Sequence, residues 1–387
     1  MSLATAQLAD LRPCRAPAVA WIGCVVCLLV TPLNALTVDV RLMCELTGGC
    51  EAGDFFYDHP QALDTLRFAT KAFEPFTDNL LAISSSPTWT ASFTNPDSGA
   101  LGYLVADQSI PADTFVIYAG GYDMAGNQVG AAGPGTANIP LDRGQGMVTG
   151  VTAIDFASWG GSIAFDTHGN GVPRNWHFGI STLPAPGELD FLTIAYHELA
   201  HAFGFGTAAS FDNLNSGGQF QGAASVNLTG STVALATDGH HWATGTTSPP
   251  YDVPPLSALT PSLVLGRRRL LTPLDYAALA DLGWEVPTKL INLHGDIDAD
   301  GDVDGRDFLS WQRMQGNTGI GLLGEADGSL EVDDYDLWLW QTSFGSQISL
   351  TEPFSAVPEP AAFLSGWFGA LMLLGSRSTS YRPRRSL

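Results

Sequence analysis

Basic residues are few in this chain. Its 387 residues contain 17 Lys and Arg against 39 Asp and Glu, so the formal net charge is −22. Proteins that bind nucleic acid present clustered positive charge to the phosphates, and this charge balance argues against that class of partner. The 45% hydrophobic content is normal for a packed globular protein, and the length exceeds one ordinary domain.

Cysteine is also scarce, with five in the chain. Three of them lie within residues 1–35, and the other two are Cys44 and Cys50. A close pair of this kind suits a small-loop disulfide in an oxidising compartment. The low number argues against a metal site built from cysteines.

Residues 1–35 have the composition of a secretory signal peptide. Arg12 and Arg15 form a basic start, and residues 18–33 are a mainly apolar run that leads to a small-residue cleavage site. Pro32 and the short span disfavour the alternative, a retained membrane helix. We therefore expect the mature chain to be exported, secreted or held at the cell surface.

The strongest motif is H-E-x-x-H, formed by His197, Glu198 and His201. Two imidazoles at this spacing lie on one helix face, from which both reach one Zn²⁺ at about 2.0–2.1 Å. The metal lowers the pKa of water to about 7, and Glu198 is placed to act as the general base. The motif predicts a metallohydrolase, most often a peptidase. The alternative is a core helix whose histidines are only hydrogen-bonded.

The flanks of the motif predict a helix. Asp190 is a candidate N-cap, while Gly204 and Gly206 end the helix after the second His. Apolar residues recur between them at helical spacing and form a face to be buried, namely Leu192, Ala195, Tyr196, Leu199, Ala202 and Phe203.

A catalytic zinc normally has three protein ligands, and the motif supplies two. No Glu lies between Glu198 and Glu285, which excludes a thermolysin-like glutamate ligand. His240 and His241 are the only histidines between the motif and residue 287, and alternation along an extended segment turns only one towards the metal. The alternative is an aspartate ligand, with Asp212 and Asp238 available.

Three features of the sequence resemble leishmanolysin-type metzincin peptidases and, more closely, their secreted bacterial relatives. They are the H-E-x-x-H-x-x-G core, the later His241-Trp242 pair and a closing helix over 274–284. The resemblance covers about residues 37–286. It implies an α+β zincin-like catalytic domain over 36–286, with zinc held by His197, His201 and His241. Two positions depart from the family pattern, Thr207 in place of a histidine and Leu259 in place of a methionine.

The region before the motif predicts a mixed α/β fold. Periodicity favours a helix over 62–73 that ends before Pro75. Short strands follow between loops rich in glycine, with candidates at 88–93, 101–105, 114–119 and 162–166. Beyond the motif, 207–237 has the polar, glycine-rich composition of a loop region.

The helix that begins at residue 273 carries strong start signals. Thr272 is its cap, Pro273 stands at the first position and Asp275 completes a capping-box pattern. Gly283 is placed to end it.

Residues 287–346 predict a separate, small all-α module. An EF-hand-like Ca²⁺ loop is formed by Asp296, Asp298, Asp300, Asp302, Asp304 and Asp307. The segment 307–312 recurs at 336–341. The loop before the second copy is degraded, with Glu325 at position 1 and Leu330 in place of the glycine at position 6, so weaker or absent Ca²⁺ binding is expected there. The alternative is a solvated acidic loop. Paired loop–helix units resemble a type I dockerin, which implies a cohesin-like partner.

The tail has a linker at 347–360 that ends in Pro-Glu-Pro, an apolar run over 361–375 and an arginine-rich end to 387. The run is shorter than the roughly 20 residues that span a membrane. This order resembles the PEP-CTERM sorting signal, which implies an exosortase-type processing enzyme and transient membrane contact. The alternative is a plain membrane anchor.

Together these patterns predict an exported, zinc-dependent endopeptidase that acts on a protein or peptide substrate and carries a calcium-binding docking module. The alternative is a non-catalytic surface or scaffold-binding protein in which the dockerin-like module mediates assembly. Thr207 and Leu259 favour that alternative, and the intact H-E-x-x-H motif favours the enzyme.

Overall fold

A computed structural model describes residues 36–86, 88–141, 143, 156, 158–180, 182–249, 256–291, 295–297, 302–318, 324, 326 and 331–346. The fold is mixed α/β, as predicted. The signal peptide predicted at 1–35, the predicted linker at 347–360 and the tail at 361–387 lie outside the described residues.

The strands are β1 (Thr37–Leu42), β2 (Thr90–Phe93), β3 (Tyr103–Ala106), β4 (Thr114–Tyr122), β5 (Gly130–Pro134), β6 (Thr136–Ala137), β7 (Gly160–Asp166), β8 (His168–Gly169), β9 (Val172–Pro173), β10 (Trp176–His177), β11 (Leu189–Asp190), β12 (Asn215–Ser216), β13 (Gln219–Phe220) and β14 (Val233–Ala234). The helices are α1 (Met43–Thr47), α2 (Phe55–Asp58), α3 (Pro60–Thr70), α4 (Phe191–Ala202), α5 (Ala209–Leu214), α6 (Ala223–Thr229), α7 (Pro273–Asp281), α8 (Thr288–Ile291), α9 (Gly305–Met314) and α10 (Asp334–Ser343).

The main sheet has four strands in the order β1-β4-β7-β5. The first three are parallel, and β5 runs antiparallel to β7 at the edge of this order. Strand β4 is apolar and buried along most of its length, as expected of a central parallel strand covered on both faces. Its alternate residues join two different cores. Phe115 and Ile117 face the helices, while Val116 and Tyr118 face the small sheet β3-β2-β6.

Helix α4, which carries the H-E-x-x-H motif, packs against β5 and β7 and against α3. Its apolar residues are buried almost without exception, so it is a central helix rather than a surface one. The predicted N-cap is confirmed, because the Asp190 side chain accepts a hydrogen bond from the Thr193 amide at 3.2 Å. The predicted capping box of α7 is also present, formed by Thr272 and Asp275.

The segment 207–237 differs from the predicted loop region. It contains α5, α6 and the small sheet β12-β13-β14. The reason lies in two aromatic residues, Phe211 and Phe220, which are fully buried and contact each other in a tilted arrangement with ring centroids 5.1 Å apart. They anchor a segment whose polar composition gave no such signal.

Cys44 and Cys50 form the disulfide predicted from the sequence. Among the described residues, no helix is long and apolar enough to cross a membrane.

The C-terminal unit is built from the internal repeat. Helices α9 and α10 each begin with a capping box of two aspartates. The two halves also exchange matching hydrogen bonds: the Trp311 indole donates to the Asp333 carbonyl, and the Trp340 indole donates to the Asp304 carbonyl, both at 2.7 Å. The repeated sequence is therefore a repeated structure.

Helix α10 of this unit packs on α3. The Phe68 ring lies edge-on to Tyr335 and to Trp338, with ring centroids 5.2 and 5.5 Å apart. Beside them, the Lys71 ammonium lies 3.0 Å from the Asp333 carboxylate. Helix α3 in turn packs on α4, and Tyr335 of α10 also interacts directly with Tyr196 of α4.

Candidate metal centre

Three imidazoles converge at the open side of α4. The Nε2 atom of His201 lies 3.1 Å from that of His197 and 3.1 Å from that of His241, and the His197 and His241 Nε2 atoms are 3.2 Å apart. The two helix residues face the same way because they are one turn apart. The third comes from the loop that follows β14.

The turn after α4 brings that loop into place. Gly206 has φ +68°, and a Cβ added there would lie 2.2 Å from the His240 carbonyl oxygen. Only glycine permits this approach of the two backbones. The chain therefore passes close enough for the residue after His240 to reach the imidazoles of α4.

The other nitrogen of each ring faces an acceptor. Nδ1 of His197 lies 2.8 Å from the Ala258 carbonyl, and Nδ1 of His201 lies 2.7 Å from the Phe205 carbonyl. Nδ1 of His241 lies 2.9 Å from the Asp238 carboxylate. An oxygen that only accepts requires the facing nitrogen to carry the proton. In neutral rings, all three Nε2 atoms therefore present lone pairs to one another.

Three lone pairs at this distance repel one another unless a cation lies among them. Two nitrogens bound tetrahedrally at 2.0–2.1 Å from one zinc would be about 3.3 Å apart, which is close to the observed spacing. Burial lowers the pKa of His197 to about 4 and that of His201 well below its ordinary value, so both rings are neutral at neutral pH. The triad could hold a metal ion.

Glu198 lies beside the triad and is 6% exposed. Burial raises the pKa of its carboxyl from an ordinary 4.5 to about 8. Strand β5 passes directly over it, since a Cβ added to Gly130 would lie 2.6 Å from the Glu198 Oε1 atom. A cation in the triad would favour the charged carboxylate and counteract the effect of burial.

These groups line a cleft with a volume of about 640 Å³. Residues 127–132, which lead into β5 and form its first half, make one wall. The imidazoles, Glu198, Thr260, Pro261 and Leu263 also line it. The cleft thus lies beside β5, which stands at the edge of the main sheet.

The remaining ligand candidates are not part of the triad. His240 is exposed at the cleft, and its Nδ1 lies 2.6 Å from the Gly206 carbonyl. Asp238 contacts the far side of the His241 ring, and Asp212 is exposed on α5. The Thr207 hydroxyl donates to the His201 carbonyl at 2.7 Å, so it supports the end of α4.

Leu259 is fully buried and follows Ala258, whose carbonyl faces His197 Nδ1. Its carbonyl accepts a hydrogen bond from the Trp242 amide at 3.0 Å, which ties the turn at 257–260 to the loop of the third imidazole. Leucine is thus a buried apolar residue at the position where the resemblance expects methionine.

The acidic loop of the C-terminal unit is described only in part. Carboxylate oxygens of Asp302, Asp304 and Asp307 lie within 4.8 Å of one another. The buried Asp307 carboxylate accepts hydrogen bonds from the Ile297 and Asp304 amides, both at 2.7 Å, and so closes the loop. Asp296 is among the described residues, whereas Asp298 and Asp300 lie outside them.

Sequence reasoning missed the groups that orient the imidazoles. The Ala258 and Phe205 acceptors are backbone carbonyls, which leave no mark in a sequence. Asp238 could have been found, because an acid three residues before a ligand histidine is within reach of its ring. Comparisons with protein-family models, with curated proteins and with solved structures found no match to this chain.

Proposed function

We propose that this chain is an exported zinc endopeptidase with a zincin-like catalytic domain. The observation that carries the proposal is the convergence of three imidazole nitrogens, each with its proton directed outward, beside a buried glutamate in an open cleft. Three histidines and one open position are the ligand set of a catalytic zinc rather than a structural one.

Zinc held by His197, His201 and His241 would supply a Lewis acid that polarises the substrate carbonyl and acidifies water. The Glu198 carboxylate then accepts a proton from the attacking water and passes it to the leaving amine. Strand β5 lines the cleft and pairs with β7 in the main sheet, so it offers an edge along which an extended peptide can lie as an added strand.

For the C-terminal unit we propose a dockerin-like role with Ca²⁺ held by the loop Asp296–Asp307 of the first repeat. A cohesin-like partner would meet α9, since α10 packs on α3 through Tyr335 and Trp338. Leu309 on α9 is 45% exposed and offers an apolar contact for such a partner. We also propose secretion or surface attachment, with processing by an exosortase-type enzyme. This part rests on the composition of residues 1–35 and 347–387.

The test is hydrolysis of casein by the purified mature chain. Zinc-loaded protein should cleave it, a chelator should abolish cleavage, and added zinc should restore it. Glu198→Gln should reduce the rate by several orders of magnitude while the zinc content stays the same, because base and metal act as a unit. Glu188→Gln is the control, since that carboxylate lies outside the cleft and accepts from the Ala185 amide. Zinc-bound protein without activity would favour the scaffold role.

A further inference from the structure

Asp275 is a fully buried acid on α7 that the proposed chemistry does not use. Its two carboxylate oxygens accept five hydrogen bonds. Oδ1 accepts from the Trp242 indole at 3.0 Å and from the Ser257 hydroxyl. Oδ2 accepts from the Ala258 amide at 3.2 Å, and from the amide and the hydroxyl of Thr272, both at 2.8 Å.

The hydrogen bonds to Thr272 belong to the capping box and explain why an acid stands there. They do not explain the other three. A capping acid needs only the backbone amide of its own N-cap residue, whereas Asp275 also draws in side chains and backbone from two distant loops.

Both loops lead directly to the triad. The carbonyl of Ala258, whose amide donates to Asp275, accepts from His197 Nδ1 at 2.8 Å. Trp242 follows His241 in the chain, and its indole is fixed at Asp275. One carboxylate thus fixes the segment that orients the first imidazole and the segment that carries the third.

We propose that Asp275 is a positioning residue of the metal centre, which sets the orientation of His197 through Ala258 and the place of His241 through Trp242. The inference rests on the proposed metal centre and not on peptide hydrolysis. It predicts that metal affinity depends on Asp275, although the Asp275 side chain touches no metal ligand. Residues that orient metal ligands from outside the coordination shell commonly affect metal affinity in this way.

Asp275→Asn tests this with little change in volume. The amide of asparagine has one accepting oxygen. Its NH₂ group replaces the second carboxylate oxygen and cannot accept the hydrogen bonds that this oxygen receives in the wild type. Some of the donors to Asp275 lose their partner, and the two loops move. We expect zinc affinity, measured by competition with a chelator, to fall tenfold or more. This is the range found when residues that orient metal ligands are substituted.

Asp281→Asn is the matched control on the same helix. The Asp281 carboxylate accepts from the Ala224 and Ser225 amides at 2.7 and 2.9 Å and holds the start of α6, with no link to the triad. It should lower the melting temperature and leave zinc affinity and the absorption spectrum of the cobalt-substituted protein unchanged. Asp275→Asn should alter both.

Two milder variants cover the case in which Asp275→Asn does not fold. Trp242→Phe removes one donor and keeps a ring between Phe205 and Phe220, and Ser257→Ala removes another. Each should weaken zinc binding by a smaller factor. Unchanged zinc affinity in both, or an Asp275→Asn protein that differs from the wild type only in melting temperature, would overturn the positioning role. A wild-type chain that binds no zinc would overturn the proposed metal centre itself.

Discussion

Replacing Glu198 by glutamine should make the metal-free protein more stable than the wild type. The carboxyl is buried, and burial raises its pKa from 4.5 in its ordinary state to about 8. A folded-state pKa above the unfolded value means that folding favours the protonated form. The free-energy cost of burying the ionised carboxylate is absent below about pH 4.5, grows as the pH rises between the two pKa values, and is complete above about pH 8. Glutamine has no charge to bury and avoids this cost.

The size of the gain follows from the two pKa values. One pKa unit corresponds to about 1.4 kcal/mol, so linkage gives a difference in unfolding free energy of about 1 kcal/mol at pH 5 and about 3 kcal/mol at pH 7. The full difference, about 5 kcal/mol above pH 8, is an upper value because water entering the cleft relieves part of the penalty. A cost in stability of this kind is expected of the general base that we propose for Glu198.

The assay is urea unfolding of both proteins in the presence of a chelator at pH 5, 7 and 8. Glu188→Gln, the same exchange at a partly exposed carboxylate, is the control for the substitution itself. Adding zinc should reduce the gap, because the cation stabilises the Glu198 carboxylate. A Glu198→Gln protein whose stability relative to the wild type does not rise with pH would show that the carboxylate is not buried as described, and would refute the reasoning.

Three further predictions concern the turn, the module and its contact. Gly206→Ala should abolish tight zinc binding, because the added Cβ would lie 2.2 Å from the His240 carbonyl oxygen. The control Gly217→Ala, with φ +61° and no atom within 4 Å, should lower only the unfolding free energy, by roughly 1–2 kcal/mol for a strained backbone, and equal effects of the two variants on zinc binding would contradict the clash. Calcium titration of the full chain by calorimetry should show one tight site that Asp307→Ala removes, and two equal sites would show an intact second loop. Phe68→Ala should lower the unfolding free energy by about 2 kcal/mol through lost contact with α10, and a thermal scan with no change would show that this contact contributes nothing.

The sequence predicted those parts of the site that depend on local spacing. Each of these parts depends on residues within one or two helical turns of one another. They are the buried face of α4, its cap at Asp190 and the capping box at Asp275. The disulfide joins cysteines only six residues apart. In each case short-range geometry leaves few choices, so a pattern was enough.

The parts that were missed depend on contacts between distant segments. Phe211 and Phe220 turn a polar, glycine-rich stretch into ordered structure because they meet Phe205 and Trp242 in one cluster. Asp275 reads as a helix cap, and its further hydrogen bonds appear only when the loops around it are placed. Tertiary packing decides such roles, and one residue then serves several elements.

The same limit applies to the choice between His240 and His241. Alternation predicts that one of the two faces α4 without saying which, and only the resemblance to leishmanolysin-type peptidases selected His241. The structure brings the His241 ring to the triad and leaves the His240 ring against the Gly206 carbonyl. The close backbone approach at Gly206 sets that choice, and it joins residues far apart in the chain.

The central claim is that these three histidines bind one zinc, and it is tested most directly by comparing His240→Ala with His241→Ala. Each variant is dialysed against limiting free zinc, and bound metal is measured by elemental analysis alongside the wild type. The account predicts one zinc per chain in the wild type and in His240→Ala, and loss of tight binding in His241→Ala alone. Loss with His240→Ala, or full retention with His241→Ala, would contradict the three-histidine centre.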